Sequence, residues 1–82
     1  MAITRESLLG FMKSELGVPI SKVTDDTSLF GGGVIDSHML LQIVTYIEGE
    51  TKLRIPTGDL SIENFDTLGN MLAYIGRRTS GG

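Results

Sequence analysis

Leu29-Phe30-Gly31-Gly32-Gly33-Val34-Ile35-Asp36-Ser37 opens onto the helix around which this chain is organised. Three successive glycines make a poor helix or strand interior, because unsubstituted backbone loses the most entropy on ordering. They mark a loop. Directly after it, Leu40, Ile43, Val44 and Ile47 recur at i, i+3, i+4 and i+7, which puts them on one face of a helix starting at Ser37. Asp36 and Ser37 therefore stand at the junction, where backbone N–H groups lack intrahelical partners and the helix dipole is positive. Capping is one reading of both residues. The other is that the Ser37 hydroxyl carries an anionic group, a phosphodiester for example, which the same N–H groups and dipole would favour.

Outward from that junction, the helix runs to about Glu50. His38, Leu41, Thr45 and Glu48 fall on a second face, beginning beside Ser37. Met39, Leu41 and Tyr46 give the helix more apolar surface than one buried stripe needs. Met39 and Tyr46 are expected to pack against neighbouring helices, and Leu41, one turn from Ser37 on the same side, to face a partner.

Upstream, Thr4 caps a first helix to about Leu16, with Leu8, Leu9, Met12 and Leu16 as its buried stripe, Gly17 closing it and Pro19 preventing a restart. From Ile20 to Phe30 the periodicity disappears, and Val23, Leu29 and Phe30 anchor a long loop. Asp25-Asp26 lacks the alternating oxygen ligands and closing glutamate of a calcium loop. Downstream, Pro56 biases Ile55 away from helix. Asp59 or Ser61 starts a brief helix to about Asn64. Asp66 then caps a last helix with Leu68, Met71, Leu72 and Ile75 on one face and Arg77-Arg78 at its end. No strand alternation appears. The expectation is an all-α fold, a small four-helix bundle of three main helices and one short one with a long first loop. Residues 1–78 form its single domain, and 79–82 a flexible C-terminal tail.

Composition narrows the function. A net charge of -3 with few aromatics argues against nucleic-acid binding. Without cysteine there is no disulfide, no thiolate metal site and no cysteine nucleophile, so a reactive thiol would have to come with a cofactor. No apolar run spans a membrane and no signal-peptide layout is present, which makes a cytoplasmic protein the default. Asp36, Ser37 and His38 are neighbours and diverge, so they cannot form a hydrolytic triad. No phosphate-loop lysine follows the glycines. The terminal Gly81-Gly82 resembles the ends of ubiquitin-like proteins, but those are strand-rich. Neither a catalytic residue nor a metal site is assigned.

Leu16-Gly17-Val18, Val23-Thr24, Ser28-Leu29, Gly33-Val34-Ile35-Asp36-Ser37, Ile55-Pro56 and Phe65-Asp66-Thr67-Leu68, in this order, resemble the acyl carrier protein family and the related peptidyl and D-alanyl carriers. The resemblance runs from the first helix to about Ile75. It implies that Ser37 receives 4'-phosphopantetheine from coenzyme A through a magnesium-dependent phosphopantetheinyl transferase, with Asp36 assisting the transfer. The arm's thiol then holds an acyl or aminoacyl group as a thioester, loaded by an adenylating ligase or acyltransferase and passed to acyl-accepting enzymes. It further implies a carrier that catalyses nothing itself and docks its partners through His38, Leu41, Thr45 and Glu48. Fatty-acid-type carriers have leucine after the serine and more acids on this helix, where His38, Met39 and Gln42 stand here. The Gly-Val-Ile-Asp-Ser form and the Thr57-to-Asn64 connection look more like carriers served by adenylating enzymes. A discrete carrier of an aminoacyl or specialised acyl unit is the expected subtype. The alternative is a helical interaction module that keeps the fold and is never modified.

Overall fold

The computed structural model describes residues 3–80. Its main elements are α1 (Arg5–Leu16), α2 (Ser37–Thr51), α3 (Ile62–Phe65) and α4 (Leu68–Ser80), with 3-10 turns at Ile20–Lys22 and Thr57–Asp59 and no strand among the described residues. The all-α four-helix architecture expected from the sequence is therefore the observed one.

Each helix begins where a side chain satisfies an open N–H group. The Thr4 Oγ1 accepts the Ser7 N–H at 3.1 Å, and the Ser7 Oγ accepts the Thr4 N–H at 2.9 Å. Gly17, at φ 68°, ends α1, and the Val18 N–H returns to the Met12 carbonyl at 3.0 Å. Asp36 caps α2 and Ser61 caps α3. At α4 the structure corrects the sequence reading: Thr67, not Asp66, is the cap, its Oγ1 accepting the Asn70 N–H at 3.0 Å. Asp66 faces the opposite way because the long first loop offers it two donors, described below. α4 also continues through Ser80, past Arg78, where the tail was expected to begin. Gly81 and Gly82 lie outside the described residues.

The stripes predicted for the three long helices meet in one core. Leu8 and Met12 of α1, Ile43 and Ile47 of α2 and Leu68 and Met71 of α4 are fully buried together with Phe65 and Leu29. Leu16 and Leu72 are only half-buried at its edge, whereas Tyr74 is buried. The Tyr74 ring lies 5.3 Å from that of Phe65, and its hydroxyl donates to the Asp59 carboxylate at 2.6 Å while accepting from Arg78. Burial and, to a smaller extent, the Asp59 carboxylate push the Tyr74 phenol pKa upward. Of the loop anchors, Val23 and Leu29 are buried and Phe30 packs half-buried against the core.

α2 ends at Lys52, whose φ of 62° is left-handed and whose N–H returns to the Glu48 carbonyl. The chain leaving it is tied back onto the helix, since the Glu48 carboxylate accepts the Ile55 N–H at 2.7 Å. That bond sets Ile55 into the core and fixes the entry to the short α3.

Candidate functional site

The start of α2 is built by the loop before it. Every backbone N–H from Leu29 to Ile35 finds an acceptor: Leu29 the Asp66 carbonyl, Phe30 the Asp66 carboxylate, Gly31 the Ser28 hydroxyl and Gly32 the Ser28 carbonyl. Gly33 donates to the Phe30 carbonyl, and Val34 and Ile35 both donate to that of Leu29. The turn is wound closely around Ser28. A Cβ on Gly32 would lie 2.6 Å from the Ser28 carbonyl oxygen, and Gly33 sits at φ 73°. These are positions where glycine is required.

Where the loop hands over to the helix, Asp36 is the N-cap and its Oδ1 accepts the Met39 N–H at 2.9 Å. Of the two capping candidates, Asp36 takes the role and Ser37 does not. Ser37 is the first residue of α2, exposed, and its hydroxyl makes no hydrogen bond among the described residues. The N–H groups of Ser37 and His38 stand at the open, positive end of the helix. An exposed hydroxyl beside such groups suits a covalently attached phosphodiester.

His38, Leu41 and Thr45 follow along α2 and line one open groove of about 430 Å³ with Gln42 and Tyr46 of the same helix and Phe11 and Glu15 of α1. Leu41 is 54% exposed over it, among the described residues one of only two large apolar side chains so displayed. The Phe11 and Tyr46 rings stack on its wall. Glu48 is not among the lining residues; it is half-buried, with its carboxylate on the Ile55 N–H. Three of the four residues expected to face a partner line this groove; Phe11, Glu15, Gln42 and Tyr46, which also line it, were not among them. Phe11 carries a legible signal, an aromatic outside the Leu8, Leu9 and Met12 stripe; Glu15 carries none.

Asp66 was missed as part of this assembly. Its Oδ2 accepts the Ser28 hydroxyl at 2.7 Å and its Oδ1 the Phe30 N–H at 2.8 Å. The Ser28 hydroxyl first, then the Phe30 N–H, holds the Asp66 carboxyl below the usual carboxylate range.

The family model for the phosphopantetheine attachment site matches residues 6–75, and the chain belongs to that family. It is thus a carrier domain, the place where 4'-phosphopantetheine is covalently attached, and such domains work with phosphopantetheinyl transferases and biosynthetic enzymes. No curated protein and no solved structure matches the chain. No described helix is long and apolar enough to cross a membrane.

Proposed function

We propose that Ser37 carries the 4'-phosphopantetheine arm and that the protein presents an acyl or aminoacyl group, held as a thioester on it, to biosynthetic enzymes. The observation that carries this reading is the exposed Ser37 hydroxyl at the first residue of α2, beside an Asp36 already placed by its capping bond. When bound, the arm supplies the thiol that a chain without cysteine lacks. Asp36 assists the transfer through the carboxylate oxygen that does not accept the Met39 N–H. The protein itself contributes no catalysis; tethering raises the effective concentration of its cargo at each partner's active site.

Partners dock over the groove beside Ser37, with His38, Leu41 and Thr45 in contact and Glu48 supporting the far end of the face. α2 bears its acids, Glu48 and Glu50, away from Ser37, so recognition there rests on apolar contact with Leu41 more than on charge steering. This favours an adenylating ligase over fatty-acid enzymes as the loading partner. The exposed Leu41 equally suits the second reading, an unmodified interaction module.

Intact mass spectrometry after incubation with coenzyme A, magnesium and a broad-specificity phosphopantetheinyl transferase separates the two. Gain of one phosphopantetheine on wild type and none on Ser37→Ala is the expected result. No gain with a demonstrably active transferase would overturn the reading of Ser37 and favour the unmodified interaction module.

A further inference from the structure

We infer that Asp66 is a positioning residue for the modification of Ser37: from the corner between α3 and α4 it fixes the loop that presents Asp36 and Ser37 to the modifying enzyme. The inference rests on the reading of Ser37 as the attachment residue.

Consecutive residues of the loop all hold on to Asp66. Ser28 binds its Oδ2 at 2.7 Å, Leu29 its carbonyl at 2.7 Å and Phe30 its Oδ1 at 2.8 Å. The effect propagates, because the Ser28 hydroxyl that donates to Asp66 also accepts the Gly31 N–H at 3.1 Å. A second tie lies in the first turn of α4, where the Gly69 N–H donates to the Asp25 carbonyl at 3.0 Å. The α3–α4 corner is thus the support on which the distal half of the first loop is laid.

Between Phe30 and Val34 the loop has only exposed glycines, with no apolar side chain to hold them. Their order depends on hydrogen bonds, which must offset the backbone entropy lost on fixing each residue. Leu29 and Ile35, on either side, are anchored by burial in the core. Removing the Asp66 carboxylate therefore loosens the Gly31–Gly33 segment selectively. The Leu29 N–H bond to the Asp66 main chain survives the substitution, and the bundle remains folded. A loose loop must be ordered each time the transferase binds, and that cost falls on recognition, not on the transfer step, since Asp66 touches none of the reacting atoms.

The test uses the whole chain and follows phosphopantetheine transfer by intact mass, with coenzyme A, magnesium and a phosphopantetheinyl transferase at varied carrier concentration. Asp66→Ala should raise the KM for the carrier about tenfold and leave kcat within about twofold. Amide exchange at Gly31 and Gly32 should quicken while exchange in α2 and α4 is unchanged. Asp66→Asn, which keeps an oxygen for the Phe30 N–H, should restore most of the KM. Tyr74→Phe serves as the control, because it removes a hydroxyl from the Asp59–Arg78 cluster away from the loop and should leave KM unmoved. A wild-type KM for Asp66→Ala, or an equal rise in Tyr74→Phe, would overturn the inference while Ser37 is still modified. A wild type that is never modified at Ser37 would overturn the proposed function, and this inference with it.

Discussion

The rings of Phe11 in α1 and Tyr46 in α2 lie 4.5 Å apart at their centroids, with planes 15° from parallel. This pair closes the outer edge of the α1–α2 interface, beyond the buried stripes, and at the same time forms a wall of the groove next to Ser37. On the docking proposed above, packing and recognition would share the same two side chains. Phe11→Ala should cost about 1–2 kcal/mol, less than a core phenylalanine because the ring is half-buried. It should also weaken partner binding at the groove. Chemical denaturation measures the first effect, and titration of the loading enzyme the second.

Leu41 and Glu48 are expected to separate those two effects. Leu41→Ala removes an exposed side chain and should change stability by less than about 0.5 kcal/mol, yet reduce partner affinity several-fold. Glu48→Ala leaves the Ile55 N–H without its acceptor and should cost about 1–2 kcal/mol, with Glu48→Gln milder because an oxygen remains. Denaturation midpoints of the three variants, set beside their partner affinities, check the assignment. If Glu48→Ala were as stable as wild type, the bond from its carboxylate to Ile55 would be contributing nothing.

Lys52 offers a gain in stability. A lysine at φ 62° bears the left-handed penalty of a side chain, which glycine escapes at some cost in unfolded-state entropy. Lys52→Gly should therefore stabilise the protein by about 0.5–1 kcal/mol, a rise of several degrees in Tm for a domain of this size. Its far-UV spectrum and its modification kinetics should be those of wild type.

Asp66 makes stability depend on pH. Its carboxyl is held below its ordinary value in the folded state, chiefly by the Ser28 hydroxyl and then the Phe30 N–H. The folded state thus releases this proton more readily than the unfolded chain. The stabilisation is fully present above the ordinary carboxylate range and is lost as pH falls through the depressed folded value. Urea midpoints measured from neutral to acidic pH should fall more steeply for wild type than for Asp66→Asn. Parallel curves would show that the clamp contributes no proton linkage.

Local sequence signals gave the helices and put the Ser37 hydroxyl, the proposed attachment point, at a helix start. Apolar residues spaced three and four apart, with Thr4, Asp36 and Ser61 before them and Gly17 after the first, are local signals, because helix faces and caps depend on neighbours within one turn. The glycine run told of a loop for the same reason. Tertiary structure alone decided what Asp66 does. Read locally it is a helix cap, and Thr67 beside it is an equally good one; the choice was made by Ser28 and Phe30, far away in the chain, whose donors reach Asp66 only after the bundle has closed. Glu48 followed the same rule, appearing as a surface acid until the turn at Lys52 brought the Ile55 N–H to it. The groove, too, needed Phe11 and Tyr46 side by side from different helices. A polar group's partner is set by which donors the packed core carries within hydrogen-bond reach, and that is a property of the assembled chain.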